Sequence, residues 1–373
     1  MDIRQYAVAG AESMITPALL FYKEQIIRNT EQVVKMAGDT ARLWAHVKTH
    51  KTREITGILM AHGITKFKCS TIAEAEVVAS CGASDIIFAY QPVGPNIKRF
   101  VQLIHAFPEV HFLAIADEMD IVCRLGEEAV SHGITIDLLV DTNTGLDRTG
   151  VSFANLDGFY REAAATEGIR VCGIHGYDGH LHIPDRKTRD EEVKKIMDAV
   201  HAAKEKLTAD GYRFDLTVMG GTATFPCYAQ YPDVSPSPGT VYVNDWSYYR
   251  DYKDIDCVPA AALLCRVVSR PTPCTFTIDL GHKAVAAERP VGERFVIVGM
   301  EEIARPIRQN EEHCVLEVAP ENRDRIPAIG TELYVLPAHI CPSVALYPFG
   351  HVAENGQVTG KWEIAARNRQ LNI

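Results

Sequence analysis

The sequence predicts an α/β chain in two parts, a (β/α)8 barrel of parallel strands followed by a β domain. Three observations carry this. Eight short β-rich runs alternate with amphipathic helical patterns through the first two-thirds of the 373 residues. The Gly-x-Gly-x-x-Gly turn that an open, doubly wound sheet places after its first strand is missing. After about Asp256 helical periodicity gives way to strand-like runs separated by turn-rich pieces.

The eight runs are Arg42–Val47, Lys66–Ser70, Asp85–Tyr90, His111–Ile115, Thr135–Asp141, Arg170–Tyr177, Asp215–Gly220 and Thr240–Trp246. Between them, Ile55, Ile58 and Leu59 share one helical face, and that pattern stops at Gly63. Val193, Ile196, Met197 and Val200 follow the i, i+3, i+4, i+7 spacing of another. Gly38, Gly63 and Gly82 fall where helices end. The expected division is a barrel over residues 1–255 and a β domain over 256–373. In the latter, Arg294–Val298, Cys314–Val318 and Glu332–Leu336 read as strands.

Composition narrows the classes. Hydrophobic residues make up 47% and charged residues 23%, the balance of an ordinary globular protein. A net charge of −10 offers no basic excess to neutralise phosphates, so nucleic acid is not an expected partner. No run of 18 apolar residues exists, so no membrane span is expected. The ten cysteines show no Cys-x-x-Cys spacing, and Met1-Asp2-Ile3-Arg4-Gln5 has no apolar signal core. Reduced thiols and a cytoplasmic location are the expectation.

Chemistry concentrates at strand ends. Lys48 lies in His46-Val47-Lys48-Thr49-His50-Lys51, directly after the apolar run Leu43-Trp44-Ala45. A lone lysine is usually solvated, so its company has to argue otherwise. Gly220-Gly221-Thr222 ends the seventh run, where exposed backbone N–H groups form an anion nest and barrels often bind phosphate. Asn244 and Asp245, at the end of the eighth, are weaker candidates. Arg148 follows the fifth run and Tyr177 ends the sixth. His339-Ile340-Cys341, placed on a strand, turns an imidazole and a thiol to one face. These donors suit zinc, although a structural zinc site wants four ligands.

Seven motifs in order carry a resemblance over nearly the whole chain. They are His-Val-Lys-Thr-His-Lys at 46–51, Ser-Thr-Ile-Ala-Glu-Ala-Glu at 70–76, Asp-Arg-Thr-Gly-Val at 147–151, Gly-Gly-Thr at 220–222, Pro-Gly-Thr at 238–240, Asp-Leu-Gly-His-Lys at 279–283 and Pro-Ala-His-Ile-Cys-Pro at 337–342. The chain resembles the D-threonine aldolase and D-serine dehydratase group of pyridoxal phosphate (PLP) enzymes, which share the alanine-racemase-like, fold-type III barrel. The resemblance implies that Lys48 forms the Schiff base with PLP, with His46 and His50 as candidates to tune it. It also implies that Gly220, Gly221 and Thr222 hold the phosphate and that Arg148 and Tyr177 meet the cofactor ring. His339 and Cys341 would bind a divalent metal. Related aldolases carry Asp at the position of Cys341, with manganese or magnesium, whereas dehydratases carry Cys, with zinc. The implied substrate is a β-hydroxy D-amino acid and the implied assembly a homodimer. An amino-acid racemase, a non-catalytic PLP carrier and a β domain that serves only to dimerise are the competing readings. Ser235-Pro236-Ser237-Pro238-Gly239 lacks the Glu and Arg that many relatives carry there, so substrate choice does not transfer.

Overall fold

The computed structural model describes residues Met1–Ile373 and divides them into two units. One comprises Val33–Lys48, Thr56–Gly239 and Asn368–Ile373; the other comprises Met1–Gln32, Thr49–Ile55 and Thr240–Arg367. The first strand, β1 (Ala18–Tyr22), belongs to the second unit. The next eight build the first: β2 (Trp44–His46), β3 (Lys66–Cys69), β4 (Asp85–Phe88), β5 (His111–Ala116), β6 (Ile136–Thr142), β7 (Ile169–Gly176), β8 (Leu216–Met219) and β9 (Ser235–Pro236). They pair in parallel in chain order, β2 through β9. The His46 N–H donates to Pro238 O at 2.9 Å and Ser237 Oγ donates to Trp44 O at 2.7 Å, which joins the last strand to the first. This is the predicted parallel barrel.

Strand periodicity stacks the lumen in layers, because every second residue points inward. Trp44, Ile87, Leu113, Leu139, Cys172 and Val218 form the apolar middle. One step toward the strand starts lies a charged layer of Lys66, Asp85, His111, Asp137 and Arg170. One step toward the strand ends come His46, Lys68, Asp141 and His175. Helices Lys23–Ala37, Arg53–Ala61 and Ile72–Ser80 stop just before Gly38, Gly63 and Gly82, as their spacing predicts.

The eighth predicted strand is corrected. Thr240–Tyr242 is a 3-10 turn, and Asp245 caps the helix Trp246–Asp251 by accepting the Tyr248 N–H at 3.0 Å. An Asp that caps a following helix outweighs the β propensity of Val241 and Val243. The true strand is two residues long, and Pro236 has no N–H with which to extend the pairing.

The second unit contains β1 and the strands β10 (Ala261–Thr272), β11 (Thr275–Ile278), β12 (Phe295–Ile297), β13 (Ala304–Gln309), β14 (Cys314–Val318), β15 (Glu332–Pro337), β16 (Phe349–Glu354) and β17 (Gln357–Glu363). Their order is β13-β14-β11-β10-β1-β16-β17, with β15 joining β10 and β12. β1 is antiparallel to β10 and parallel to β16, so residues near the start of the chain complete the sheet. No helix is long and apolar enough to cross a membrane.

The charged layer yields a prediction. Hydrogen bonds to Asp137 at 2.6 Å and Asp85 at 2.8 Å raise His111 to about 9, against the opposing effect of burial. The folded pKa lies above the unfolded value of about 6.5, so the stabilisation is full below that pH and is lost as pH rises through 9. The wild-type advantage over His111→Gln should be roughly 1 kcal/mol near pH 6, discounted because the ring is half exposed, and should close by pH 10. Thermal melts across that range would refute it if the difference stayed flat.

Candidate active site

β2 ends at His46, and a turn over Val47–His50 carries Lys48 off the strand at the rim of the barrel. A cavity of about 430 Å³ opens there, walled by His46, Lys48, Lys68, Arg148, His175 and Tyr177 among others. This volume suits a small cofactor or substrate, whose sites span roughly 300–1,000 Å³.

Tyr177 is the centre of the arrangement. Lys48 Nζ lies 5.2 Å from its ring centroid and Arg148 Cζ lies 4.8 Å from it, both within cation–π range. The same ring packs against the glycine turn: a Cβ built on Gly221 would fall 2.8 Å from a Tyr177 ring carbon. Gly220 has φ +83°, and a Cβ there would fall 2.6 Å from the Tyr228 ring. Any side chain at either position would displace an aromatic, which explains the Gly-Gly pair physically. Thr222 is buried in the same turn. The Gly221 N–H donates to Thr224 Oγ1 at 3.1 Å, and that hydroxyl donates to Asp178 at 2.7 Å. Lys48, Arg148, Tyr177, Gly220 and Gly221 thus converge, as the strand-end positions suggest.

The two histidines flanking Lys48 part company. His46 lines the cavity, with Nδ1 2.8 Å from Lys68 O and Nε2 3.1 Å from Ser70 Oγ. His50 belongs to the other unit, where burial and the neighbouring Lys51 charge hold its ring down at about 3, and so neutral. Asn244 and Asp245 also lie in that unit. Asn244 Nδ2 donates to Cys257 O at 2.8 Å, a structural role.

Sequence reasoning missed one group on the cavity wall. Lys68 Nζ lies 3.4 Å from His175 Nε2, and His175 Nδ1 lies 2.7 Å from Asp141 Oδ1. All three side chains are buried. The alternation Lys66-Phe67-Lys68-Cys69 was the available signal, because it turns one lysine pair to a single face.

His339 and Cys341 sit in the second unit, but not on a strand. β15 stops at Pro337, and His339 is the N-cap residue of the short helix Ile340–Ala345. The same-face argument for a strand therefore fails; the turn into the helix is what brings the imidazole and the thiol within hydrogen-bonding reach. Pro342 at the third helical position starts that turn readily and leaves no unpaired N–H. Cys341 Sγ lies 3.0 Å from Thr49 Oγ1 and 3.3 Å from Thr240 Oγ1. A further unforeseen partner, Glu288, lies 2.5 Å from His339 Nδ1. Burial works against a charged His339, but Cys341, Glu288 and Asp245 outweigh it and raise the ring to about 9. The carboxylate takes the Nδ1–H and directs Nε2 away from itself, the usual support of a metal-binding histidine. No third His, Cys, Asp or Glu joins the pair as a ligand group. Burial raises the Asp245 carboxyl to about 6, although it accepts the Tyr248 and Ile340 N–H groups.

Comparison with known proteins bears on the family and the fold. The family model "Alanine racemase, N-terminal domain" matches residues 23–240, and "Putative serine dehydratase domain" matches residues 260–353. A D-threonine aldolase of Arthrobacter sp is 26% identical, with 86% of this chain and 84% of that protein covered. The crystal structure of D-threonine aldolase from Filomicrobium marinum superposes with a TM-score of 0.85 at 24% identity, covering 97% of this chain and 98% of that one. D-threo-3-hydroxyaspartate dehydratase from Delftia sp. HT23 superposes with a TM-score of 0.82 at 20% identity, covering 95% and 98%. Those two structures share the fold. With the first model spanning more than half of the sequence, the chain belongs to the alanine-racemase-like, fold-type III family of PLP enzymes.

Proposed function

We propose that this protein is a PLP-dependent, metal-assisted lyase acting on a β-hydroxy D-amino acid. The observation that carries the reading is one cavity in which Lys48 and Arg148 meet over Tyr177, with Tyr177 seated on Gly221. An amine, a fixed cation and a side-chain-free turn match the aldehyde, the anionic oxygens and the phosphate of PLP. Bound there, PLP supplies the electron sink for charge developing at the substrate Cα.

The chain's own residues divide the remaining work. Lys48 holds the cofactor through its amine and, once freed by the substrate amine, accepts a proton at Nζ. Arg148 steadies the cofactor ring oxygen or the substrate carboxylate with a guanidinium that cannot lose its charge. Tyr177 walls the ring, and Gly220, Gly221 and Thr222 receive the phosphate. His339 and Cys341 hold the metal, with Glu288 orienting the imidazole. A nitrogen and a sulfur donor favour zinc over manganese or magnesium. The metal supplies Lewis acidity toward a hydroxyl oxygen.

The proton that is removed decides which bond breaks. Loss of the Cα proton to Lys48 leads to departure of the β-hydroxyl, so D-serine yields pyruvate and ammonia. Loss of the hydroxyl proton instead breaks Cα–Cβ, so D-threonine yields glycine and acetaldehyde. Both belong to one substrate class, D-amino acids bearing a β-hydroxyl, and the homologous aldolase and dehydratase support both. A homodimer is the expected assembly.

Incubation with PLP and either D-serine or D-threonine, with and without a chelator, tests the reading. We expect keto acid, or glycine and aldehyde, and loss of turnover after chelation that zinc restores. Turnover unchanged by thorough metal removal would sink the metal's part. Lys48→Ala should abolish the visible Schiff-base absorbance and lower kcat by roughly 10²–10⁴-fold. Persistence of that absorbance in the variant would exclude Lys48 as the anchor. Glu288→Gln should weaken zinc affinity about 10- to 100-fold by releasing the His339 ring; competition with a chromophoric chelator measures this directly.

A further inference from the structure

Tyr177 and the glycine turn follow different strands, β7 and β8, yet the reading above needs both beside one ligand. The Tyr177 ring lies between two glycines. A Cβ built on Gly179 would fall 2.4 Å from a ring carbon, and one built on Gly221 would fall 2.8 Å from another. Such packing is close but has no direction of its own. The directional tie belongs to the next residue along, Asp178, whose Oδ1 accepts from Thr224 Oγ1 at 2.7 Å. Thr224 Oγ1 in turn accepts the Gly221 N–H at 3.1 Å.

Two features set this tie apart from ordinary packing. Asp178 and Thr224 are 2% and 1% exposed, so water does not compete for their bond. Burial raises the Asp178 carboxyl, and the Thr224 hydroxyl is the first group to oppose that rise. The second feature is the direction in which Thr224 points. It stands at the N-cap of the short helix Phe225–Tyr228, where a threonine hydroxyl ordinarily accepts from a helix N–H ahead of it. Here it makes no such bond and turns back to the glycine turn. Donating its proton to Asp178 leaves its lone pairs for Gly221, so the carboxylate fixes the hydroxyl and the hydroxyl fixes the turn.

We propose that Asp178 is a positioning residue for the cofactor phosphate: acting through Thr224, it locks the Gly220–Thr222 turn to the segment that carries Tyr177. The inference rests on that turn being the phosphate site. Asp178 itself touches neither cofactor nor substrate in this scheme. What it sets is the spacing between a surface for the ring and a turn for the phosphate, so a ligand carrying both groups meets both at once. A ligand with the ring alone gains nothing from that spacing. The bond network therefore selects the phosphorylated form of the aldehyde over the unphosphorylated form.

The test titrates the full chain, stripped of cofactor, with PLP and separately with pyridoxal, which has the same ring and aldehyde but no phosphate. Schiff-base absorbance reports both. The readout is the ratio of the two dissociation constants, pyridoxal over PLP. General loosening of the site weakens both ligands and leaves the ratio alone, whereas a misaligned turn weakens PLP only. Thr224→Val keeps the side-chain shape without the hydroxyl and should cut the ratio about tenfold. Thr224→Ser should restore it. Asp178→Asn keeps an oxygen acceptor and should hold the ratio near wild type, whereas Asp178→Ala should match Thr224→Val. The Asp178→Ala, Thr224→Val double variant should lose no more than either single, as residues acting in one chain do. A wild-type ratio in Thr224→Val overturns the proposal, and so does tighter PLP binding in both Asp178 variants, the mark of a carboxylate that merely repels phosphate. If wild type binds the two aldehydes equally, the glycine turn is not the phosphate site and the proposal falls with it, while the Lys48 anchor stands. Should Asp178→Ala fail to fold, the two Thr224 variants decide alone: equal ratios in both overturn the proposal.

Discussion

The barrel unit depends on how its last strand reaches its first. β9 offers only two residues, one of them proline, so ordinary ladder pairing is too short to close the sheet. Ser237 and Pro238 finish the closure on Trp44 and His46. That seam seats β2, and β2 delivers Lys48 to the rim. It also fixes which side of every strand is the lumen. Once the lumen is defined, period-two alternation stacks a charged layer, an apolar layer and a reactive layer without further instruction.

The cavity at the strand ends gathers three cationic side chains inside a chain of net charge −10. Lys48, Lys68 and Arg148 face one cavity, with Asp117 and Asp141 as the acidic residues of its wall. Such a pocket attracts phosphates and carboxylates while the acidic exterior contributes a field of opposite sign. The second unit inverts the pattern: His339 lies among Glu288, Asp245 and the Cys341 thiol, surroundings that hold a positive charge. Under the proposed metal-assisted reading, a cation entering there would have to displace the imidazole proton.

Much of this was legible in the sequence, for reasons specific to each element. β4, β5, β6 and β7 are apolar runs of strand length bounded by turn residues, and they read correctly. Lys48, Arg148, Tyr177 and Gly221 could be singled out as candidates because parallel barrels carry their chemistry at strand ends. β9 was hidden by its brevity and its proline, and the β-branched run at 240–243 took its place. β1 is buried along its whole length, so it lacks the alternation that marks a half-buried strand. Lys68 was missed because two lysines on one face read as solvated until closure makes that face the lumen. Glu288 comes from a loop 51 residues away from His339, a contact that no local pattern encodes.

The placement of β1 has a consequence for assembly. Leu20 pairs with Ala262 on one side and with His351 on the other, so its neighbours are made hundreds of residues later. The barrel unit can gather its strands in chain order as they emerge, each beside the one before. The other unit has to wait, with five consecutive apolar or aromatic residues, Ala18–Tyr22, lacking both neighbouring strands meanwhile. Long-range pairing of this kind is slow, and an unpaired apolar strand invites the wrong partner. The early segment that completes the second unit is therefore also a piece of the chain exposed to aggregation while the protein is being made.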